Sequence, residues 1–294
     1  MSRNDYFVNT CYVIRHYLQI YHLTRRIYNM NVKSLEEYVS AIEIISNNQN
    51  KIFYRGQASS KKYNLLPSFL RVDENGKRKY HRECEIQFLN KFKSRATPYL
   101  NNIPKNNWEW LFLMQHYRTP TRLLDWTESP LISLYFALAD TSFKYDENDN
   151  PVVWCLNALK LNKNVKELPP YLDDIPNVNS DEIWMNSIEK NYGIGKYTYD
   201  KYPIAIYGPF NNDRINAQKG VFTLFSNSSI CIEDLKGSDD LLDKIIIDKE
   251  SINKIRLQLF NFGITNTIIY PELESISEDI KLEYFIKKKG EWVK

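Results

Sequence analysis

An α+β fold, helical at the front and strand-rich behind, is what this sequence predicts. Through much of the first 140 residues, apolar side chains recur at helical spacing. After residue 140 the texture changes to short alternating apolar runs bounded by Pro, Gly and Asn. Nine glycines and no low-complexity tract argue against long flexible linkers, so one domain is expected.

Residues 1–32 read as an aromatic, basic helix, with Val13, Tyr17, Ile20, Tyr21 and Leu23 near helical spacing. Ser34-Leu35-Glu36-Glu37 forms a capping box that opens an amphipathic helix through about Ser46. Lys51 to Tyr54 is a strand ending at Arg55-Gly56, and Leu65 to Ser68 is a turn or extended connection. Residues 80–100 make a helix with Glu85, Phe88, Leu89, Phe92 and Ala96 on one face, and Trp108 to His116 makes another. Pro151 to Leu156 alternates as a strand. Residues 160–202 are polar and carry Pro169, Pro170 and Pro176, which suggests an irregular excursion or insertion. Strands follow at Pro203 to Tyr207, Gly220 to Phe225 and Lys244 to Ile247, then a helix across 251–262 and a last segment, Thr267 to Pro271.

The charge is uneven: residues 1–126 hold 20 Lys/Arg and 10 Asp/Glu, residues 127–294 hold 19 and 26. A basic front half can attract a polyanion, although charged surfaces of two sequence halves also interleave in space. No apolar run approaches the roughly 20 residues that span a bilayer, and the N-terminus lacks a signal-peptide core. Cys11, Cys84, Cys155 and Cys231 are scattered without metal spacing, as reduced cysteines of a cytoplasmic protein would be.

The most informative stretch is Gln115 to Asp140, QHYRTPTRLLDWTESPLISLYFALAD. Arg122 to Thr127 reads as a short strand, and Ser129 with Pro130 marks the start of a helix apolar nearly all round. A strand running into a buried helix N-terminus gathers N–H donors and a positive dipole end, a place that suits phosphate.

Together with Tyr54-Arg55-Gly56, Leu66-Pro67-Ser68, Arg71, Glu85 and Phe92, this block resembles the FRG domain, a bacterial domain named for its aromatic-Arg-Gly motif. Arg214-Ile215, Gln218 to Phe222 and Gly263 to Leu273 fit as well, so the resemblance covers about residues 34–275. It leaves 1–33 as a helical segment and 276–294 as a tail. Arg118 stands where the family usually has Gly. The resemblance implies a genomic setting of anti-phage and toxin–antitoxin systems, hence an antitoxin or regulator protein as partner.

The order of motifs is similar to that of ADP-ribosyltransferases, which implies a strand-rich, split-sheet core with helices of the front half packed on it. By position Arg55 matches that fold's first-strand arginine, Thr127 its hydroxyl residue and Gln218 its later Glu or Gln. The implied substrate is NAD, and nucleic acid is the natural acceptor for a basic front half. Arg55 suits a pyrophosphate because its planar fork binds bidentately. Gly56 would admit a ligand to the backbone. Tyr54, Tyr117 and Trp126 are candidates for stacking, Gln115 and His116 for hydrogen bonding, and Arg122 for the cofactor-binding set. Gln218 supplies no charge for a positive sugar carbon, so Asp125 or Glu85 would have to. Arg55 and Asp125 equally suit a structural ion pair with Glu85 or Arg122 nearby, and Ser129 a plain helix cap. A binding module that senses a nucleotide or phage component stays open, and a nuclease is the weakest reading.

Overall fold

Seven strands form one mixed sheet, and most of the helices lie on one of its faces. The computed structural model describes residues 29–289 apart from 48–50, 141, 167, 169–172, 179–181, 197–200 and 210–212. The chain runs β1 (Asn29–Val32), α1 (Leu35–Ser46), β2 (Ile52–Gln57), α2 (Cys84–Ala96), α3 (Asn107–His116), β3 (Leu123–Thr127), α4 (Pro130–Leu138) and β4 (Val152–Asn157). It continues through α5 (Ala158–Lys163), α6 (Glu182–Tyr192), β5 (Ile204–Ile206), α7 (Asp213–Ala217), β6 (Gly220–Leu224), β7 (Leu242–Ile247), α8 (Ile252–Asn261), α9 (Asn266–Ile269) and α10 (Leu273–Lys289).

Local signals fix the helix starts. The Ser34 hydroxyl accepts from Glu37 N–H, and Glu37 reaches back to Lys33 N–H at 2.7 Å, one residue beyond the N-cap donor of the reciprocal box. Asn106 caps α3 and Ser129 caps α4, where Pro130 takes a position that needs no intrahelical N–H.

Strand order is β1-β7-β4-β2-β3-β6-β5; β1 and β7 are parallel and the other pairs antiparallel. On one face α1, α4 and α8 bury Tyr38, Leu134, Ala137, Ile255 and Leu259 against Tyr54, Val153, Cys155 and Ile245. On the same face α3 and α6 pack against Leu123, Phe222 and Leu224. The other face carries Phe53, Leu124, Trp126, Trp154 and Val221, covered by α5 and by irregular segments around Leu65–Leu70 and Phe225–Leu241.

The sheet has a seam. Among the described residues β2 and β3 share one register pair, Tyr54 with Thr127, and part beyond it, while β2 pairs with β4 and β3 with β6 along their whole lengths. So the sheet is continuous, yet opens between its two central strands.

Three expectations need correction. Residues 29–32 form an edge strand because Met30 and Val32 alternate onto the core face against β7; the helix expected over 1–28 lies outside the described residues. The stretch 160–202 is not irregular where it is described: it ends α5, forms α6 and buries Val165, Leu168, Ile188 and Tyr192 beside α3. Polar residues between those apolar anchors hid the pattern; Pro169 and Pro170 lie outside the described residues. The tail from 276 continues α10, which starts at Leu273.

Gly56 has a packing role besides the one expected of it. A Cβ there would sit 1.9 Å from Ser133 O and 2.5 Å from Ala137 N, both main-chain atoms of α4. The missing side chain lets the helix lie on β2, and the residue also lines the cavity described below. Gly56→Ala is expected to destabilise the fold by about 3 kcal/mol, the upper end for overpacking, because backbone cannot swing aside. Urea unfolding checks this; an unchanged midpoint would contradict the packing.

Candidate functional site

A cavity of ≈ 380 Å³ opens over the seam, on the face covered by α3 and α4. Its volume lies toward the small end of the roughly 300–1,000 Å³ of small-ligand sites. Arg55, Gln115, His116, Arg118, Asp125, Thr127, Arg214 and Gln218 bring polar groups to the wall, and Phe112, Phe136 and Phe222 bring rings.

Strand alternation explains the Tyr-Arg-Gly run. Tyr54 and Gly56 face the helices, whereas Arg55 leaves from the opposite side of β2. Because the strands part here, the Arg55 guanidinium reaches across the seam and donates from Nη1 to the main-chain oxygen of Asp125. Its Nε is buried without a hydrogen-bond partner among the described residues. Burial lowers the Arg55 pKa from its ordinary value, Asp125 opposes this and Arg71 adds to it. A partnerless buried donor is costly, which makes Arg55 receptive to an anionic oxygen.

Asp125 is the exposed position of β3, flanked by buried Leu124 and Trp126. Gln115 Nε2 donates to both carboxylate oxygens at 3.0 Å, while Gln115 Oε1 accepts from the Thr121 hydroxyl. This chain from Thr121 through Gln115 orients the carboxylate toward the cavity. Thr121 was not singled out by sequence; only its place in the PTRLLDW block pointed to it.

His116 ends α3. Its pKa is lowered from 6.5 by burial first and by Arg214 next, with Glu272 opposing. The imidazole is therefore neutral near pH 7, fit to accept or donate one hydrogen bond. The sign for stability follows: the unfolded chain protonates His116 first, so stability falls as pH drops below 6.5 until the folded state also protonates. His116→Gln should flatten that part of a pH series of urea unfolding, and identical slopes would contradict the assignment.

Other expected site residues hold the structure. Thr127 Oγ1 donates to the main-chain oxygen of Gln218 at 2.7 Å and accepts from Ser129 N–H at 3.0 Å. Gln218 Nε2 donates to Ile269 O at 3.2 Å. Both line the cavity with these groups engaged. Tyr54 is 6% exposed, and burial, then Cys155, pushes its hydroxyl up to about 12.

Trp126 also borders the cavity, but its ring packs in the opposite core and its Nε1 donates to Thr223 Oγ1 at 3.0 Å. Tyr117 lies outside the cavity wall, 61% exposed, with its ring 4.8 Å from that of His116. The N-terminus of α4 is also not the anion site, since Ser129 caps Ile132 N–H and the cavity meets that helix at Phe136 instead.

Glu85 and Arg122 are the main correction. Arg122 Nε and Glu85 Oε1 are 2.7 Å apart, with side chains 2% and 3% exposed. The guanidinium also donates to the carbonyls of Phe225, Tyr192 and Gly193, and Glu85 accepts from Gly195 N–H. The pair ties α2, β3 and the end of α6 together, away from the cavity, so neither residue reaches a ligand there.

Sequence reading passed over Arg118 and Arg214 as site residues, although both stood in the quoted motifs. Arg118 adopts φ 60, the left-handed conformation that glycine takes without strain, which explains why Gly is usual at this turn. Arg214, on α7, lies with its guanidinium 4.6 Å from the centre of the Tyr270 ring.

Cys155 and Cys231 are buried and Cys84 half-buried, all unpaired; Cys11 lies outside the described residues. Among the described residues no group of three or more His, Cys, Asp or Glu side chains is placed to hold a metal ion. No described helix is long and apolar enough to cross a membrane.

Neither a curated protein nor a solved structure matches the chain. Residues 50–146 match the FRG domain, about a third of the chain, against the wider 34–275 of the sequence reading. The match takes in β2, α2, α3, β3 and α4, and so both strands of the seam, Arg55, Gln115 and Asp125; Arg214, Gln218 and Phe222 complete the wall from outside it. The chain thus carries an FRG domain at residues 50–146, and that stretch builds the seam and most of the cavity above it.

Proposed function

We propose that the cavity binds NAD and that the protein transfers its ADP-ribose to a macromolecule, nucleic acid being the favoured acceptor. One observation carries the reading: Asp125 holds an exposed carboxylate, fixed on both oxygens by Gln115, in a wall that also presents Arg55, Arg118 and Arg214. Three arginines suit the pyrophosphate, and the phenylalanine rings suit a flat base or nicotinamide. The glycosidic bond to nicotinamide breaks with its electron pair leaving on the ring nitrogen. The positive charge that develops on the ribose carbon is met by Asp125. An acceptor nucleophile bonds to that carbon and loses its proton, with neutral His116 as a base within the same wall. The opening between β2 and β3 is also in keeping with the split core expected of such transferases.

A bacterial toxin or anti-phage effector acting in the cytoplasm is the biological role proposed with it, on the FRG resemblance alone. The test is nicotinamide release from NAD by the wild-type protein and by Arg55→Ala, with growth arrest on expression as the cellular counterpart. Release and arrest by the wild type, both lost in the variant, support the reading; full activity in Arg55→Ala contradicts it.

A second reading is a non-enzymatic module that senses a nucleotide or phage component. It draws support from Thr127 and Gln218, whose side chains hold main-chain groups rather than stand free for chemistry. Saturable NAD binding without any nicotinamide would favour it.

A further inference from the structure

Arg118 and Thr119 are neighbours in the chain but line different hollows. Arg118 faces the cavity over the seam, whereas Thr119 closes a second hollow of ≈ 320 Å³ against Phe88, Lys91, Phe92, Arg95 and Ala96 of α2. The α2 residues stand at helical spacing on one face, with Lys91 and Arg95 exposed. Tyr117 links the hollows: its ring is 6.3 Å from Phe92 in one and 4.8 Å from His116 in the other. Residues 88–119 carry Lys91, Lys93, Arg95, Lys105 and Arg118 against the single carboxylate Glu109.

An exposed aromatic ring between cations recurs where proteins hold single strands: phosphates follow the charges and unpaired bases stack on the ring. A duplex would hide its base faces, and an acidic peptide would leave Tyr117 unused. We propose that the α2 hollow is the docking track of a single-stranded polynucleotide, with phosphates over Lys91 and Arg95 and a base on Tyr117, its path leading past Arg118 into the cavity. This rests on the reading of the cavity as a transferase site with a nucleic-acid acceptor, and it locates that acceptor.

The test is fluorescence anisotropy of the full-length protein with labelled 12-nucleotide RNA and DNA, the matching duplex, and a polyglutamate peptide, over a salt series. Both single strands, or one of them, should bind more tightly than duplex or peptide. Lys91→Ala with Arg95→Ala should lower the slope of log affinity against log salt by about 1.4, two phosphate contacts of a single strand. Tyr117→Ala should weaken single-strand binding about 5- to 150-fold, the range for one lost stacking contact. Acceptor-free nicotinamide release should be unchanged in the Lys91/Arg95 variant. Binding unaffected by either variant, or polyglutamate bound as tightly as the single strands, would overturn the track. Variant-sensitive single-strand binding without nicotinamide release from any protein would leave the track standing and remove the transferase reading instead.

Discussion

Replacing Asp125 by asparagine is expected to lower the rate of nicotinamide release on the order of 10²- to 10³-fold, the scale for losing one preorganised electrostatic group. Asparagine keeps the size and can still accept from Gln115 Nε2, so the wall should keep its shape. Stability should move by no more than about 0.5 kcal/mol, as for other exposed positions without a buried role. The informative outcome is this separation. A loss of turnover with unchanged NAD affinity places Asp125 in the chemical step; a loss of affinity alone makes it a binding group. A variant as active as the wild type would remove the carboxylate from the mechanism.

The second large effect is structural. Glu85→Gln leaves the Arg122 guanidinium buried with carbonyl partners and no counter-charge, and breaking such a pair costs about 3–5 kcal/mol. That is a large fraction of the roughly 5–15 kcal/mol by which a domain is stable. Thermal or urea unfolding should show it directly, with turnover per folded molecule preserved. The opposite pattern, normal stability with turnover lost, would return Glu85 to the catalytic set from which its burial removes it.

These two residues show what is legible in a sequence and what is not. Asp125, Glu85 and Arg122 are charged residues in or near one motif set, and nothing in their spacing separates a site residue from a core ion pair. Alternation along β3 separates them in the fold: Asp125 falls on the exposed position, while Arg122, just before the strand, turns inward to Glu85. Trp126 shows the same principle, because a one-residue offset from Asp125 puts its ring in the opposite core.

The helix starts were legible because caps are local. Ser34, Ser129 and Pro130 act on backbone groups within four residues, so the sequence carries the whole interaction. The seam between β2 and β3 was not, since it depends on where two strands 70 residues apart stop pairing. The packing role of Gly56 was hidden for a related reason. Its glycine is demanded by α4, which the sequence places 74 residues later. Met30 and Val32 were drawn into the helical pattern expected over 1–32, whereas their pairing with β7 is long-range.

The cavity's cations divide the same way. Arg55 could be named from its motif. Arg214 enters the wall only because α7 packs beside β6, and Arg118 because a left-handed turn carries it there. The positive charge of the cavity wall is thus assembled by tertiary structure.

The most direct test is incubation of the purified protein with NAD labelled in its adenylate phosphate, together with total RNA, DNA or cell lysate and with Arg55→Ala in parallel. The account predicts label on one class of macromolecule, nicotinamide in equal amount, and neither product from the variant. NAD bound but returned intact under all of these conditions would contradict it.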